Sequence, residues 1–320
     1  MTSWSYLVHG STLALAWFLV VNIVVSVLVV AVVGRAGRSA RLLVALRLLP
    51  AAASMTFVVA VFLPSYWRFE PQDGVEGFDV TITAAAALAM AVVAAGCVRG
   101  ASAWVQADGR SRLWMAASQP LAMANVGLPA FLIDAPQPLM ALVGILRPRL
   151  LVTRGLIEAL TPGELSASIA HEVGHHRGRD NFKRLAMRAA PDVLTWTRAA
   201  RVLERRWAAA AEHTADALAS TEGRDTRFAL ASALVKIARL TPSSAVPLGE
   251  PISTLVGGGA IAARVERLVD DTRASSRSGV QRRWVGPLAT LVGLGALVSV
   301  YAPLLERVHG ITEILVHSLP

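Results

Sequence analysis

The apolar residues of this chain are concentrated in four long runs, and polar segments separate the runs. They cover residues 11–33, 43–63, 80–98 and 284–305. A helix needs roughly 20 mostly apolar residues to cross a bilayer, so each run predicts one transmembrane helix. No charged segment precedes the first run, and we therefore expect a retained helix there and not a cleaved signal peptide.

The segment between the third and fourth runs is more polar and has the length of an independent domain. Residues 147–153, "RPRLLVT", predict a short strand, because they are rich in leucine and valine and turn residues flank them. A helix is predicted to begin after Thr161, which is a suitable N-cap, with Glu164 three residues later to complete a capping box. A second, alanine-rich helix is predicted over residues 198–220.

The composition agrees with a membrane protein. Hydrophobic residues make up 54% of the chain and charged residues 17%, whereas an ordinary soluble domain carries about 25% charged residues. The predicted fold class is therefore mainly α, a multi-pass membrane protein with a small β-element in its polar domain. The predicted domains are residues 1–98 with three transmembrane helices, 99–283 as the polar domain, and 284–320 with the fourth helix and a short tail.

The formal net charge of +9 is distributed in a way that predicts an orientation. The loop after the first run carries cations and no acid: Arg35, Arg38, Arg41 and Arg47. The loop after the second run carries more acids than cations: Arg68, Glu70, Asp73 and Glu76. Cytoplasmic loops hold the excess of arginine and lysine, so we expect both termini outside the cell membrane and the polar domain in the cytoplasm. The arginines lie beside apolar runs, and we expect no direct binding of nucleic acid.

The polar domain contains the stretch "SASIAHEVGHHRGRD" at residues 166–180, which has the pattern of a metal site. On a helix, His171 and His175 lie one turn apart on one face, and zinc favours such nitrogen ligands. Glu172 follows the first histidine, where its carboxylate can reach a metal-bound water. We do not expect His176 to be a ligand, because its side chain points about 100° away from that of His175.

A catalytic zinc needs a third protein ligand and one open position. The second predicted helix contains "AEHTADALA", in which Glu212 is the candidate third ligand. Asp216 lies one turn further along the same face, where a carboxylate can accept a hydrogen bond from the distal nitrogen of a ligand histidine. The adjacent His213 would face another direction and is not expected to bind the metal.

These residues give the chain a resemblance to membrane-embedded gluzincin metallopeptidases, over roughly residues 110 to 270. The layout of the spans and "GILRPRLLV" resemble the BlaR/MecR-type signal-transducing peptidases. The run "LLVTRGLIEALTPGELSASIAHEVGHHRGRD" and the form of "EHTADALA" are similar to HtpX-like proteases. The resemblance implies a zincin-like helical metalloprotease domain between the third and fourth transmembrane helices.

The resemblance also implies the chemistry of the site. It implies Zn²⁺ as the cofactor and a protein or peptide as the substrate, for example a transcriptional repressor. In "AARVERLVD", Arg264 matches the arginine of the HtpX pattern and is our candidate donor to the oxyanion, with Arg267 as its competitor. We expect the substrate to add as a strand along the edge formed by residues 147–153.

Three functions remain open on the sequence alone. The first is a zinc endopeptidase of regulatory proteolysis, in which Glu172 is the general base. The second is an HtpX-like protease for quality control of membrane proteins. The third is a signalling receptor with a structural zinc that cuts no peptide bond. The tail after the fourth run is too short for a penicillin-binding sensor domain, so we do not expect direct β-lactam sensing.

Overall fold

A computed structural model provides the structure of the protein. It describes residues 4–37, 39–71, 79–123, 127–221, 223–240, 253–254, 261–270, 301–314 and 316. The fold is mainly helical with one small sheet. This confirms the predicted mainly α class.

Among the described residues, three helices are long and apolar enough to cross a membrane. The first is α1, Trp4–Val32, which a 3-10 turn at Val33–Arg35 extends. The second comprises α2, Ala40–Phe57, a π-helical turn at Val58–Phe62, and α3, Leu63–Phe69. The third is α4, Val80–Ala116. Each covers one of the first three predicted runs, and α4 continues through the predicted domain boundary after residue 98.

The fourth predicted span falls mostly outside the described residues, which begin again at 301. Residues 301–314 form a helix that packs beside the first two apolar helices. The hydroxyl of Ser65 donates to the carbonyl of Leu305 at 2.6 Å, and the indole nitrogen of Trp17 donates to Thr312 at 3.1 Å.

The position of Arg47 differs from the prediction, which counted it as a loop cation. Arg47 lies inside α2 and is 1% exposed. Its guanidinium is paired with protein carboxylates, because an arginine in an apolar helix must be neutralised when it is buried. The cations before α2 are therefore Arg35 and Arg38, and Arg41 lies in the first turn of α2.

The polar domain contains a five-stranded sheet in the order β1-β2-β4-β3-β5. Its strands are β1, Ser118–Leu121; β2, Ala130–Ile133; β3, Met140–Val143; β4, Arg149–Thr153; and β5, Ser253–Thr254. The strand predicted at 147–153 exists as β4, which pairs in parallel with β2 and antiparallel with β3. The expectation that a substrate adds along this strand is wrong, because both edges of β4 are already paired.

Six helices and a 3-10 turn complete the described part of the domain. They are α5, Arg154–Ala159; α6, Pro162–Gly178; α7, Asp180–Ala189; the turn Val193–Trp196; α8, Arg198–Ala219; α9, Arg224–Leu240; and α10, Ile261–Asp270. A hydrophobic core joins the sheet to α6 and α9, with Leu150, Val152, Ala167 and Leu234 among its buried members. Helix α8 also packs against α6. The predicted helix at 198–220 is confirmed as α8.

Candidate metal centre

The first histidine pair lies on α6, whose beginning is fixed by its own sequence. Thr161 accepts a hydrogen bond from the backbone of Glu164, and the Glu164 carboxylate accepts one from the backbone of Thr161 at 2.8 Å, so the predicted capping box is confirmed. About two and a half turns later, His171 and His175 are both completely buried on the face that meets α8. Their Nε2 atoms lie 3.1 Å apart. The helical spacing therefore directs both imidazoles at one point.

Helix α8 brings Glu212 to the same point. Its carboxylate oxygens lie 3.6 Å from Nε2 of His171 and 3.6 Å from Nε2 of His175. The close approach of the helices depends on Gly174, because a Cβ there would lie 2.9 Å from Cα of Ala215 on α8. A larger residue at this crossing would force the two helices apart.

The three side chains fit a zinc ion. We call His171, His175 and Glu212 the metal cluster; their ligand atoms all lie within 4.8 Å of one another, and all three residues are buried. A tetrahedral zinc with bonds of about 2.0 to 2.2 Å separates its ligand atoms by about 3.3 to 3.6 Å. The observed separations of 3.1 and 3.6 Å lie close to this range.

Two aspartates contact the histidines at Nδ1, on the side of each ring away from the metal cluster. Oδ1 of Asp216 lies 3.0 Å from Nδ1 of His171, which is the contact predicted from the sequence. Oδ2 of Asp180 lies 2.7 Å from Nδ1 of His175. Each contact keeps the Nε2 atom of its histidine directed at the metal cluster and increases the basicity of the ring.

The sequence analysis missed Asp180. Helix α6 ends at Gly178, and the next residue, Arg179, adopts the left-handed conformation with φ of 52°, which turns Asp180 back towards His175. The signal was present in "HHRGRD", where a glycine and an acid follow His175 within five residues. It could be interpreted only by assuming that the helix stopped there.

Arg264 on α10 is buried beside the metal cluster. Its guanidinium contacts Glu212 at 3.0 Å and Asp216 at 2.6 and 3.1 Å. Its competitor Arg267 is exposed and donates to a carbonyl of its own helix. The structure therefore places Arg264 in the site, where its charge offsets two buried carboxylates, and places Arg267 outside it.

Burial and charge set the protonation of the metal cluster in the absence of an ion. Burial opposes a charge on His171, but Asp216 and Glu212 outweigh it and raise the pKa of His171 to about 9. Burial also opposes ionisation of Glu212, yet His171, His175 and Arg264 outweigh it and hold the pKa of Glu212 at about 2. Glu212 is therefore ionised at neutral pH, whereas His171 holds a proton that a bound cation would have to displace.

Glu172 differs from the other acids of the site. It is completely buried, and both of its carboxylate oxygens have no hydrogen-bond partner among the described residues. Burial raises the pKa of Glu172, while the neighbouring His175 and His171 act in the opposite direction. A buried carboxylate without a partner is costly, so its place beside the metal cluster fits a group that exchanges a proton with a water molecule.

One family model matches part of the chain. Residues 115–231 match the model of Peptidase family M48, and no curated protein matches the chain. The matched segment contains the whole metal cluster together with Glu172 and Asp216, whereas Arg264 lies beyond it. The chain therefore carries a metallopeptidase domain of family M48, which confirms the resemblance to membrane-embedded metallopeptidases that its motifs indicated.

Proposed function

We propose that this M48 metallopeptidase is an integral-membrane zinc endopeptidase that cleaves cytoplasmic or membrane proteins in regulatory proteolysis, as in the BlaR/MecR type. The observation that carries the proposal is the buried metal cluster of His171, His175 and Glu212 with the unpartnered carboxylate of Glu172 beside it. A purely structural zinc site would not require a buried carboxylate that makes no hydrogen bond. A hydrolytic site requires it as a proton acceptor.

Each side chain of the site has a separate proposed role in hydrolysis. A bound zinc lowers the pKa of a coordinated water and polarises the scissile carbonyl. Glu172 accepts the proton of the attacking water and passes it to the leaving amine. Arg264 is the proposed donor to the developing oxyanion, because its guanidinium is buried beside the metal cluster and two carboxylates hold it there.

A substrate bound as an extended strand requires a sheet edge close to α6. Strand β3 contacts α6. Among the described residues, the side of β3 away from β4 pairs only with the two residues of β5, through Ala141 and Leu142. A cavity of about 540 Å³ lies between the end of β3 and the turn from α6 to α7, and Ile145, His175 and Phe182 are among its lining residues. We propose that a substrate strand pairs with β3 in place of β5 and extends into this cavity.

The decisive test is the change Glu172→Gln. The variant keeps the shape of the side chain but loses the proton acceptor, so bound zinc should remain while proteolysis falls by at least ~10²-fold. Products of the wild type and of the variant are mapped by mass spectrometry on the same candidate substrates. Equal cleavage by the variant would remove Glu172 from the mechanism. A wild type that binds zinc and yields no products would favour the non-cleaving receptor.

An HtpX-like role in quality control uses the same site and differs in substrate. It is favoured by the sequence "LLVTRGLIEALTPGELSASIAHEVGHHRGRD". Proteins that accumulate in cells carrying Glu172→Gln separate the two roles. Accumulation of one regulator supports regulatory proteolysis, and accumulation of many damaged membrane proteins supports quality control.

The proposed orientation places the metal cluster in the cytoplasm. Single cysteines at Ser39, Gly74, Ser278 and Ser318, in a chain with Cys97→Ala, are labelled in intact cells with a reagent that cannot cross the membrane. Positions 74 and 318 should react, because the positive-inside rule puts them outside. Labelling of 39 or 278 instead would invert the orientation and exclude cytoplasmic substrates.

A further inference from the structure

The connection between α7 and α8 is held by the apolar helices. We call residues 190–197 the connecting segment. Asn22 of α1, which is completely buried, donates to the carbonyl of Pro191 at 3.1 Å and accepts from the backbone of Val193 at 2.9 Å. Arg99 of α4 donates to the carbonyl of Ala190 at 2.9 Å. Two candidate membrane helices thus satisfy backbone groups of the catalytic domain.

Arg47 of α2 makes the densest set of these contacts. Its guanidinium donates to Asp192 at 2.8 Å, to Thr195 at 2.8 Å, and to the carbonyl of Met187 at 2.8 Å. Its Nε donates to Glu204 of α8 at 2.9 Å. Arg47 is 1% exposed and Asp192 is completely buried. A charge in an apolar helix is costly unless it is paired, and such charges usually have a function.

The contacts of Arg47 determine where α8 begins and how it is rotated. Asp192 accepts hydrogen bonds from both the backbone and the hydroxyl of Thr195, just before Thr197 caps the helix. Glu204 then ties the first half of α8 to α2 directly. A shared hydrophobic core encloses this junction, with Val29 and Leu43 from the apolar helices against Leu203 and Trp207 from α8.

The same helix carries the third residue of the metal cluster. Glu212 follows Glu204 by about two turns, or about 12 Å of continuous helix. A shift or rotation of α8 at Arg47 therefore reaches Glu212 with little loss, because the helix is a rigid element.

We propose that Arg47 is a positioning residue that fixes α8, and with it Glu212, relative to the membrane helices, so that zinc affinity depends on the membrane part of the protein. The inference rests on the proposed zinc site, and it holds whether or not the site cleaves peptides. It assigns the second apolar helix a part in building the metal centre.

The experiment measures the affinity of the full chain for Zn²⁺, by competition with a chelator in lipid nanodiscs. Arg47→Leu is compared with Arg41→Leu, which removes the same charge from an exposed position of the same helix. We expect Arg47→Leu to lower zinc affinity by about 2- to 30-fold, the usual range for coupling through packed elements, and Arg41→Leu to leave it unchanged. Hydrogen exchange in α8 verifies that the variants are folded.

A gentler change covers the case in which Arg47→Leu does not fold. Arg47→Lys keeps the positive charge but replaces the planar guanidinium with a compact ammonium group. A lysine therefore cannot donate to all of the partners of Arg47 at the same time. We expect Arg47→Lys to fold and to bind zinc more weakly than the wild type. Wild-type zinc affinity in folded Arg47→Lys, or an equal loss in Arg41→Leu, overturns the proposal. A wild type that binds no zinc instead overturns the proposed function.

Discussion

Replacing Gly174 with alanine should separate the two helices that carry the metal cluster. A Cβ at this position would lie 2.9 Å from Cα and 3.2 Å from Cβ of Ala215, whereas ordinary van der Waals contact begins at 3.4 Å. The obstacle is the backbone of α8 and not a flexible side chain, so α6 and α8 must move apart by about 0.5 Å or more. Metal sites tolerate distance errors of only about 0.2 Å.

The expected effect on folding is small and the effect on the site is large. Overpacking costs about 1 to 3 kcal/mol, and alanine is favoured over glycine in a helix by about 0.8 to 1 kcal/mol. The free energy of unfolding should therefore fall by about 0 to 2 kcal/mol, which leaves the protein folded. Misplacement of Glu212 should lower the rate of proteolysis by about 10²-fold, and zinc affinity should fall with it.

Gly163 on the same helix provides the matched control. Apart from its chain neighbours and its own helix backbone, no described residue has an atom within 4 Å of a Cβ built there, so Gly163→Ala should raise the free energy of unfolding by about 0.4 to 1 kcal/mol and leave the metal site unchanged. The assays are zinc per chain after chelator competition, thermal unfolding of the metal-free protein, and the rate of substrate cleavage. Wild-type zinc affinity and rate in folded Gly174→Ala would refute the argument from helix spacing.

Three further predictions concern the metal cluster and its supports. Glu212→Ala should leave purified protein without stoichiometric zinc, measured by elemental analysis, because it removes one of three protein ligands; full occupancy would contradict the assignment. Asp180→Ala and Asp216→Ala should each cost about 10- to 100-fold in zinc affinity, and a loss in only one of them would show that only one histidine depends on its aspartate. Zinc must displace the proton of His171, whose pKa is raised to about 9. Zinc affinity should therefore increase about tenfold per pH unit from pH 6.5 and level off near pH 9. A zinc affinity that does not change with pH would contradict this prediction.

The features that could be predicted from the sequence are those determined within a few residues. The capping box at Thr161 and the spacing of His171 and His175 depend on helical geometry alone. The first three apolar helices follow from length and composition. Glu212 and Asp216 could be placed because their own spacing repeats that of the histidines.

The features that could not be predicted depend on distant contacts. The partners of Arg47 lie in a part of the chain more than 100 residues away, so the sequence alone suggested a loop cation. The interior position of β4 results from the order of the strands, which no local pattern contains. Asp180 needed the left-handed residue Arg179, and Arg264 could be suggested only through a family resemblance.

The apolar-helix residues that contact the connecting segment lie at similar distances from the far ends of their helices. Asn22, Arg47 and Arg99 lie about 27 to 33 Å from the ends of their helices that face away from the catalytic domain, at about 1.5 Å per residue. The hydrocarbon layer of a bilayer is about 30 Å thick. If the hydrocarbon layer begins at those helix ends, the connecting segment lies at its inner surface in the proposed orientation.

The length of helix α8 then limits the distance between the membrane surface and the metal cluster. It begins at Arg198, beside the connecting segment, and reaches Glu212 after about 21 Å of helix, which is the greatest height the metal can have above that level. An extended chain covers about 3.3 Å per residue. If the substrate is anchored in the membrane, as proposed, a spacer of about six residues between its anchor and the cleaved bond would be enough to reach the metal cluster, so the length of the spacer could select substrates as well as their sequence does.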